Sequence, residues 1–344
     1  MSKTDFHALT ISRVRSETAD TASFFFAIPG ELKDIFTYQA GQYLTLRFVI
    51  DGKEERRAYS MCSSPLEEEL AVSVKRLEGG IVSNHLNDYI KAGTTVDVMP
   101  PQGRFLAQPD PDLTRDIYLF GAGSGITPLY SILKTFLEAE PRSRVNVLYG
   151  NRTEKDIIFH DELTALEERY AGQLFLEHHL TAPENKQPSG LRKLWRRAIG
   201  RGGNRINGER IREFLAEHPT QGDAGAARYF ICGPGGLIET VELALLGTGI
   251  KEDQIATERF TTANDVKETH AKGTVEGAEV TAILSGKETT YRLKPGQSVL
   301  DGLLEAGELP PYSCLAGACS TCMAKVVSGG VTMDACFALD ADEV

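Results

Sequence analysis

Three hydrophobic patterns succeed one another along the chain. Up to about residue 110, apolar and polar positions alternate in short runs: "HALTISRVRSE", "TASFFFAI", "GQYLTLRFVI", "LAVSVKRL" and "TTVDVMPP". Period-two runs broken by Gly and Pro predict an antiparallel β barrel or sandwich. From roughly 115 to 260 the pattern changes. Apolar strands ("DIYLF", "RVNVLYGN", "QLFLEHHL", "ARYFI") alternate with amphipathic helices ("TPLYSILKTFLEAE", "HDELTALEERY", "RIREFLAEH", "LIETVELALLG"). That alternation predicts a parallel, doubly wound sheet. In "SGLRKLWRRAIGRGG", Leu191, Leu194, Trp195, Ala198 and Ile199 share one helical face, and Gly200, Gly202 and Gly203 end it. Arg192, Lys193, Arg196 and Arg197 lie outside that stripe, on a solvated face or a basic surface for an acidic partner.

A polar stretch from Thr261, "TTANDVKETHAKGTVEG", reads as a linker. Beyond it, "AEVTAILSGKETTYRL" predicts a hairpin turning at Ser285–Gly286. "QSVLDGLLEAG" predicts a short helix with Ser298 as N-cap and Gly307 just past its end. The expected division is a barrel over 1–112, an α/β domain over 113–260, a linker over 261–275 and a small third domain over 276–344.

Composition narrows the function classes. A chain of 344 residues suits two or three domains, and 41% hydrophobic with 25% charged residues is ordinary for a globular chain. The formal net charge of -11 argues against general nucleic-acid binding. There is no membrane-length apolar run and no signal-peptide layout at the N-terminus, so a cytoplasmic location is expected. Six cysteines in so long a chain are not a disulfide framework.

Four motifs carry chemistry. "RAYS", Arg57, Ala58, Tyr59 and Ser60, offers a cation, a flat ring and a hydroxyl at a strand end. Some twenty residues on, "GGIVSNHL" opens a helix, and a helix N-terminus attracts anions. "GAGSGITP" lies between a strand and a helix, where glycines admit a diphosphate to the backbone. "CGPGG" repeats that layout and places Cys232 at the carboxyl end of a parallel strand, either as a site thiol or as a buried structural one. The strongest signal is Cys314, Cys319 and Cys322. C-x4-C-x2-C among small residues is the spacing that grips a plant-type two-iron cluster; zinc is the rival, without a further Cys or His pair to support it. The adjacent His178 and His179 on a strand point to opposite faces, which suits surface or core placement better than shared metal ligation.

In their order, RAYS, G-x-x-S, GAGSGITP, CGPGG and a cysteine loop, these motifs resemble the ferredoxin–NADP reductase superfamily with a C-terminal plant-type ferredoxin domain. Within it they look most like the reductase components of multicomponent di-iron oxygenases. The resemblance covers essentially the whole chain. It implies an antiparallel FAD barrel, a doubly wound NAD(P) domain and a small α+β, β-grasp ferredoxin domain.

The resemblance also implies roles. Arg57 would bind the FAD diphosphate, Tyr59 would stack on the flavin and Ser60 would approach its N5, with Ala58 between them. Val74 and Lys75, with Gly80, Ile81, Val82 and Ser83, would hold the ribityl chain and diphosphate. Gly121, Gly123, Ser124, Gly125 and Thr127 would line the NAD(P)H dinucleotide. Cys232, Gly233 and Pro234 would sit near the nicotinamide, and Phe260 in "ATERF" would shield the flavin. Tyr59, Ser60 and Cys232 are the residues expected at the chemistry.

Two departures from the family pattern stand out. The Ser-Arg pair common in NADPH-preferring members is absent after "QLFLEHHL", where the chain reads "TAPEN". Arg152 alone then favours NADPH. The fourth cluster cysteine is expected about thirty residues after the third. Cys336 comes only fourteen residues after Cys322 and aligns with no ligand, so the third domain reads as truncated and its [2Fe-2S] site as incomplete. The function implied is an NAD(P)H-dependent FAD reductase feeding an oxygenase or another one-electron acceptor. The alternative is a flavin-binding regulatory protein with a silent third domain. Acceptor, substrate and oligomeric state stay open.

Overall fold

The computed structural model describes residues 5–183, 199–200, 204–260, 277–333, 335–339 and 343. The first region closes into a barrel. Strands β1 (His7–Thr18), β2 (Thr21–Ala27), β3 (Tyr43–Ile50), β4 (Lys53–Ser60), β5 (Leu70–Lys75) and β6 (Thr95–Gln102) pair antiparallel in the order β4-β3-β6-β1-β2-β5. A bridge from Met61 to Val72 joins the two edge strands. The run "SFFFA" shows why its alternation looks blurred. Phe24 and Phe26 fill the barrel interior, while Phe25 points outward into a second core shared with the next domain. Helix α1 (Ile81–Tyr89) covers the barrel by burying Val82 and Leu86.

The second region is a parallel sheet of β7 (Asp116–Ala122), β8 (Arg144–Asn151), β9 (Leu174–Leu180), β10 (Ile199–Gly200), β11 (Arg228–Gly233) and β12 (Ile255–Arg259). Its order is β10-β9-β8-β7-β11-β12. Helices α2 (Ile126–Ala139) and α3 (His160–Arg169) pack into the core on one face; α4 (Gly208–Glu217) and α5 (Gly235–Gly247) pack into the core on the other. Winding reverses between β7 and β11, and at such a switch point the carboxyl ends of the strands leave a crevice for ligands. The helical stripe expected over 191–199 is corrected at its end. Ile199 and Gly200 run as a short strand beside His178 and His179, because sheet pairing outweighs helical patterning there. The rest of that stripe lies outside the described residues, as does the linker.

The third region holds hairpin β13 (Glu279–Leu284) and β14 (Lys287–Arg292), then helix α6 (Val299–Glu305). Ser285 and Gly286 both take positive φ, 52° and 83°, as a two-residue hairpin turn requires. Ser298 caps α6 by accepting from the Asp301 amide at 3.1 Å. No described helix is long and apolar enough to cross a membrane.

The barrel and the α/β domain share one core. Phe25, Ala40, Cys62, Ala71 and Phe105 pack with Leu129, Ile132 and Phe136 from α2. Ser131 Oγ donates to the Ser63 carbonyl at 2.5 Å, and the Ser64 and Thr135 hydroxyls meet at 2.9 Å. These buried contacts fix the mouth between the two domains.

Candidate functional site

The mouth is where β4 runs out against the carboxyl ends of β11 and β12. Ser60, the buried last residue of β4, donates to Glu258 Oε2 at 2.9 Å. Glu258 pairs in register with Cys232, so RAYS, CGPGG and ATERF converge on one point. Cys232 is fully buried, and burial pushes its thiol well up, with Glu258 adding to the effect. Burial also pushes the Glu258 carboxyl up to about 8; the Ser60 hydrogen bond pulls the other way and Cys319 pushes further up. Sequence reasoning does not single out Glu258, though a signal exists: a carboxylate at the carboxyl end of a parallel strand, beside an apolar partner strand.

Around that point the expected flavin residues divide. Tyr59 is half-buried against the barrel core, and burial raises its phenol. Ala58 beside it is also half-buried. The Arg57 guanidinium pairs with Glu55 at 3.1 Å and donates to the Arg56 carbonyl at 2.7 Å. Lys75 pairs with Asp20 at 3.3 Å. Val74 and Val82 turn their side chains into the barrel core, so only their backbone is free to face the mouth. Gly80 is the N-cap and Ile81 opens the helix, two residues before Ser83. The Ser83 hydroxyl accepts from the Leu77 amide at 3.2 Å, which leaves its own proton to donate. An added Cβ on Gly80 would lie 2.9 Å from Leu77 Cβ and 3.2 Å from the Leu77 carbonyl oxygen, so the loop before α1 would have to shift.

The second glycine turn supports the switch point. Residues 123–125 form one tight turn between β7 and α2. A Cβ on Gly125 would lie 2.1 Å from the Cys232 carbonyl oxygen, so the two strand-ending turns touch backbone to backbone. Tyr149 Oη donates to the Gly123 carbonyl at 2.9 Å, and Thr127 Oγ1 to the Ser124 carbonyl at 3.0 Å. Thr127 is buried and uses its hydroxyl internally, so it braces the turn from behind. Gly233 has φ 154° and Pro234 caps α5. Arg152 is exposed just past β8, its carbonyl accepting from the Ala182 amide at 2.7 Å. His178 and His179 are buried on opposite faces; burial pushes His178 down to about 4, while His179 Nε2 lies 2.7 Å from the Asn204 carbonyl.

The cysteine loop is built on unusual backbone. Leu315, Gly317 and Ser320 have φ of 58°, 67° and 54°. Positive φ at two non-glycine residues costs energy and clusters at ligand sites. Here it aims amides at sulfur: the Cys314 amide at Cys319 Sγ (3.5 Å) and the Ala316 amide at Cys314 Sγ (3.4 Å). The Cys314 thiol hydrogen-bonds to the Cys319 sulfur, which lowers Cys319 and raises Cys314. Cys319 is buried against the barrel and Cys322 is exposed. Soft thiol donors with inward amides suit an iron–sulfur cluster. Cys336 is half-buried next to Phe337, whose amide donates to the Gly317 carbonyl at 3.0 Å. The group of metal-capable side chains among the described residues, Glu177, Glu217 and His218, is bridged by Arg210 and reads as an ion-pair network.

Comparison with known proteins agrees with this three-part layout. Family models match in succession: oxidoreductase FAD-binding domain at 8–106, oxidoreductase NAD-binding domain at 119–242, and 2Fe-2S iron-sulfur cluster binding domain at 282–344. The chain belongs to the ferredoxin-reductase-like flavoprotein oxidoreductases that carry a 2Fe-2S domain. It is 34% identical to a component of the 1,2-phenylacetyl-CoA epoxidase of Escherichia coli (strain K12), over 99% of this chain and 92% of that one. It is 35% identical to the ferredoxin reductase component of the 3-ketosteroid-9-alpha-monooxygenase of Rhodococcus rhodochrous, over 98% and 90%. Its fold also matches phthalate dioxygenase reductase with a TM-score of 0.60 at 24% identity, covering 92% of this chain and 85% of that one.

Proposed function

We propose that the chain takes a hydride from NAD(P)H onto FAD at the barrel mouth and passes electrons singly through a cluster at Cys314, Cys319 and Cys322 to an oxygenase. The observation that carries this is the Ser60–Glu258 hydrogen bond, which joins the barrel motif to the strand that ends beside Cys232. Bound FAD would accept the hydride's electron pair and release electrons one at a time to a cluster that takes only one. Arg57 and the α1 N-terminus would meet phosphate, and Tyr59 would flank the ring. Gly121, Gly123 and Gly125 would admit the coenzyme diphosphate. Cys232, neutral and buried, would line the nicotinamide side, and Phe260 would cover the flavin. Glu258 holds a proton below about pH 8 and can pass it through Ser60 Oγ. The oxygenase partner rests on the relatives named above, and its di-iron type on the motif resemblance.

The test is anaerobic mixing with NAD(P)H. Prompt bleaching of the flavin band, then reduction of a one-electron acceptor, is expected; no bleaching would favour the regulatory reading. Tyr59→Ala should weaken flavin retention by at least about fivefold, since a stacked ring contributes on the order of 1 kcal/mol beyond its buried area. Unchanged flavin content in that variant would refute the stacking role. Arg152 is exposed at the carboxyl edge of the sheet and is proposed to meet a 2′-phosphate. NADPH should then be preferred, and Arg152→Ala should cut that preference roughly tenfold. A wild-type preference for NADH rejects it.

A further inference from the structure

We infer that Tyr43 is a positioning residue that seats the cysteine loop on the flavin site and so sets the rate of electron transfer between the two. The inference rests on the reading of Cys314, Cys319 and Cys322 as cluster ligands.

Tyr43 opens β3 and pairs in register with Ser60, the residue that binds Glu258. It is 3% exposed. Its ring lies close against Gly103, where a Cβ would come within 3.0 Å of Tyr43 Cδ1. Gly103 has φ 117°, so this contact selects glycine on two counts. The phenol therefore has one direction to point, and it points into the third domain. Tyr43 Oη donates to the Cys319 carbonyl at 2.6 Å and meets Thr321 Oγ1 at 2.7 Å. Thr321 Oγ1 in turn lies 3.3 Å from Cys319 Sγ. One hydroxyl thus grips both the backbone and the side-chain neighbour of the most buried cluster cysteine. A phenol carries its proton at neutral pH, so it is a donor here.

A second contact fixes rotation about this peg. Thr45 Oγ1, two residues along β3, donates to Ser313 Oγ at 2.9 Å, and both residues are buried. Arg56 lies 4.0 Å over the Tyr312 ring from the neighbouring strand. Directional hydrogen bonds in a dry interface specify register, and each one left unmade costs desolvation. Cys322 is exposed, which leaves its part of the loop open for an outgoing electron.

The transfer served is simple in its balance. Each hydride brings two electrons to the flavin, which leave singly. Each in turn would make one ferric ion ferrous, the one-electron acceptor drawing off the first electron before the second arrives, and the flavin proton goes to solvent. Tyr43 takes no part in the hydride step.

The test is Tyr43→Phe, which removes one oxygen atom and keeps the ring. Iron and sulfide content are measured first, and a wild type without a cluster signal would defeat the ligand reading and not the docking. Flavin bleaching by NAD(P)H should stay within about twofold. Cluster reduction, followed by its paramagnetic signal, should slow about tenfold. Deuterium exchange at amides 314–323 should rise about tenfold while the barrel strands stay protected. Thr321→Val, which leaves the barrel untouched, should reproduce both the slower transfer and the faster exchange. Unchanged cluster reduction and unchanged exchange in Tyr43→Phe would overturn the inference. Slower flavin bleaching with exposed barrel amides would equally overturn it, by showing that the hydroxyl merely holds the barrel together.

Discussion

Gly125→Ala should lower coenzyme-driven flavin reduction about 100-fold or more. The new Cβ would lie 2.1 Å from the Cys232 carbonyl oxygen, 2.6 Å from its carbon and 2.8 Å from the Gly233 nitrogen. All three atoms are backbone, so no side-chain rotation relieves the clash. Either the β7–α2 turn lifts or the end of β11 moves, and both form the crevice proposed for the dinucleotide. Misplacement of about 1 Å at such a site costs on the order of 100-fold. Gly172→Ala is the control. Gly172, in the turn before β9, has φ 89° and open space within 4 Å of its Cβ position, so only the left-handed backbone penalty of about 1 kcal/mol applies. Rapid-mixing bleaching and thermal unfolding separate the two effects. Equal rates for Gly125→Ala and wild type would remove the glycine turn from the coenzyme site.

Gly125 also shows what the sequence can and cannot disclose. "GAGSGITP" between a strand and a helix is legible as a turn for a diphosphate. That its third glycine is demanded by the carbonyl of Cys232, more than a hundred residues on, is a tertiary fact without local signal. The same division runs through the molecule. The strand of "DIYLF" and the helix of "TPLYSILKTFLEAE" are legible because burial imposes their periods. The Ser285–Gly286 turn and the Ser298 cap are legible because few residues satisfy such backbone. The Leu77 amide that donates to Ser83 Oγ comes from the loop before α1, a contact without local sign in the sequence, and it leaves the hydroxyl proton to donate. Strand β10 is hidden by a stronger helical stripe. Glu258 is marked only by its place at the carboxyl end of a parallel strand, and Tyr43 by nothing local, because each acts across a domain boundary. The cysteine spacing names a chemistry, but the positive φ of Leu315 and Ser320 that turns amides toward the sulfurs has no compositional mark.

Glu258→Gln should remove a pH step near 8 in the release of electrons from reduced flavin, and above that step, where the carboxylate can take the flavin proton, should slow release about 10- to 100-fold. The carboxyl is held up to about 8 by burial, against an ordinary value of 4.5. It is therefore protonated at neutral pH and within reach of Ser60 Oγ. Glutamine keeps the shape and an acceptor for Ser60 but neither takes nor gives a proton, and such proton transfer is commonly worth about 10²- to 10⁴-fold. The stability consequence has a definite sign. The folded chain binds a proton here that the unfolded chain releases between pH 4.5 and about 8, so this group's contribution to stability falls as pH rises through that window. Glutamine has no such penalty. Near pH 5 the variant and wild type should melt together; near pH 9 the variant should be the more stable, by on the order of a few kcal/mol. Melting curves at pH 5, 7 and 9 read this directly. A pH-independent difference between the two proteins would mean that the carboxyl titrates normally and that no proton is held at the mouth.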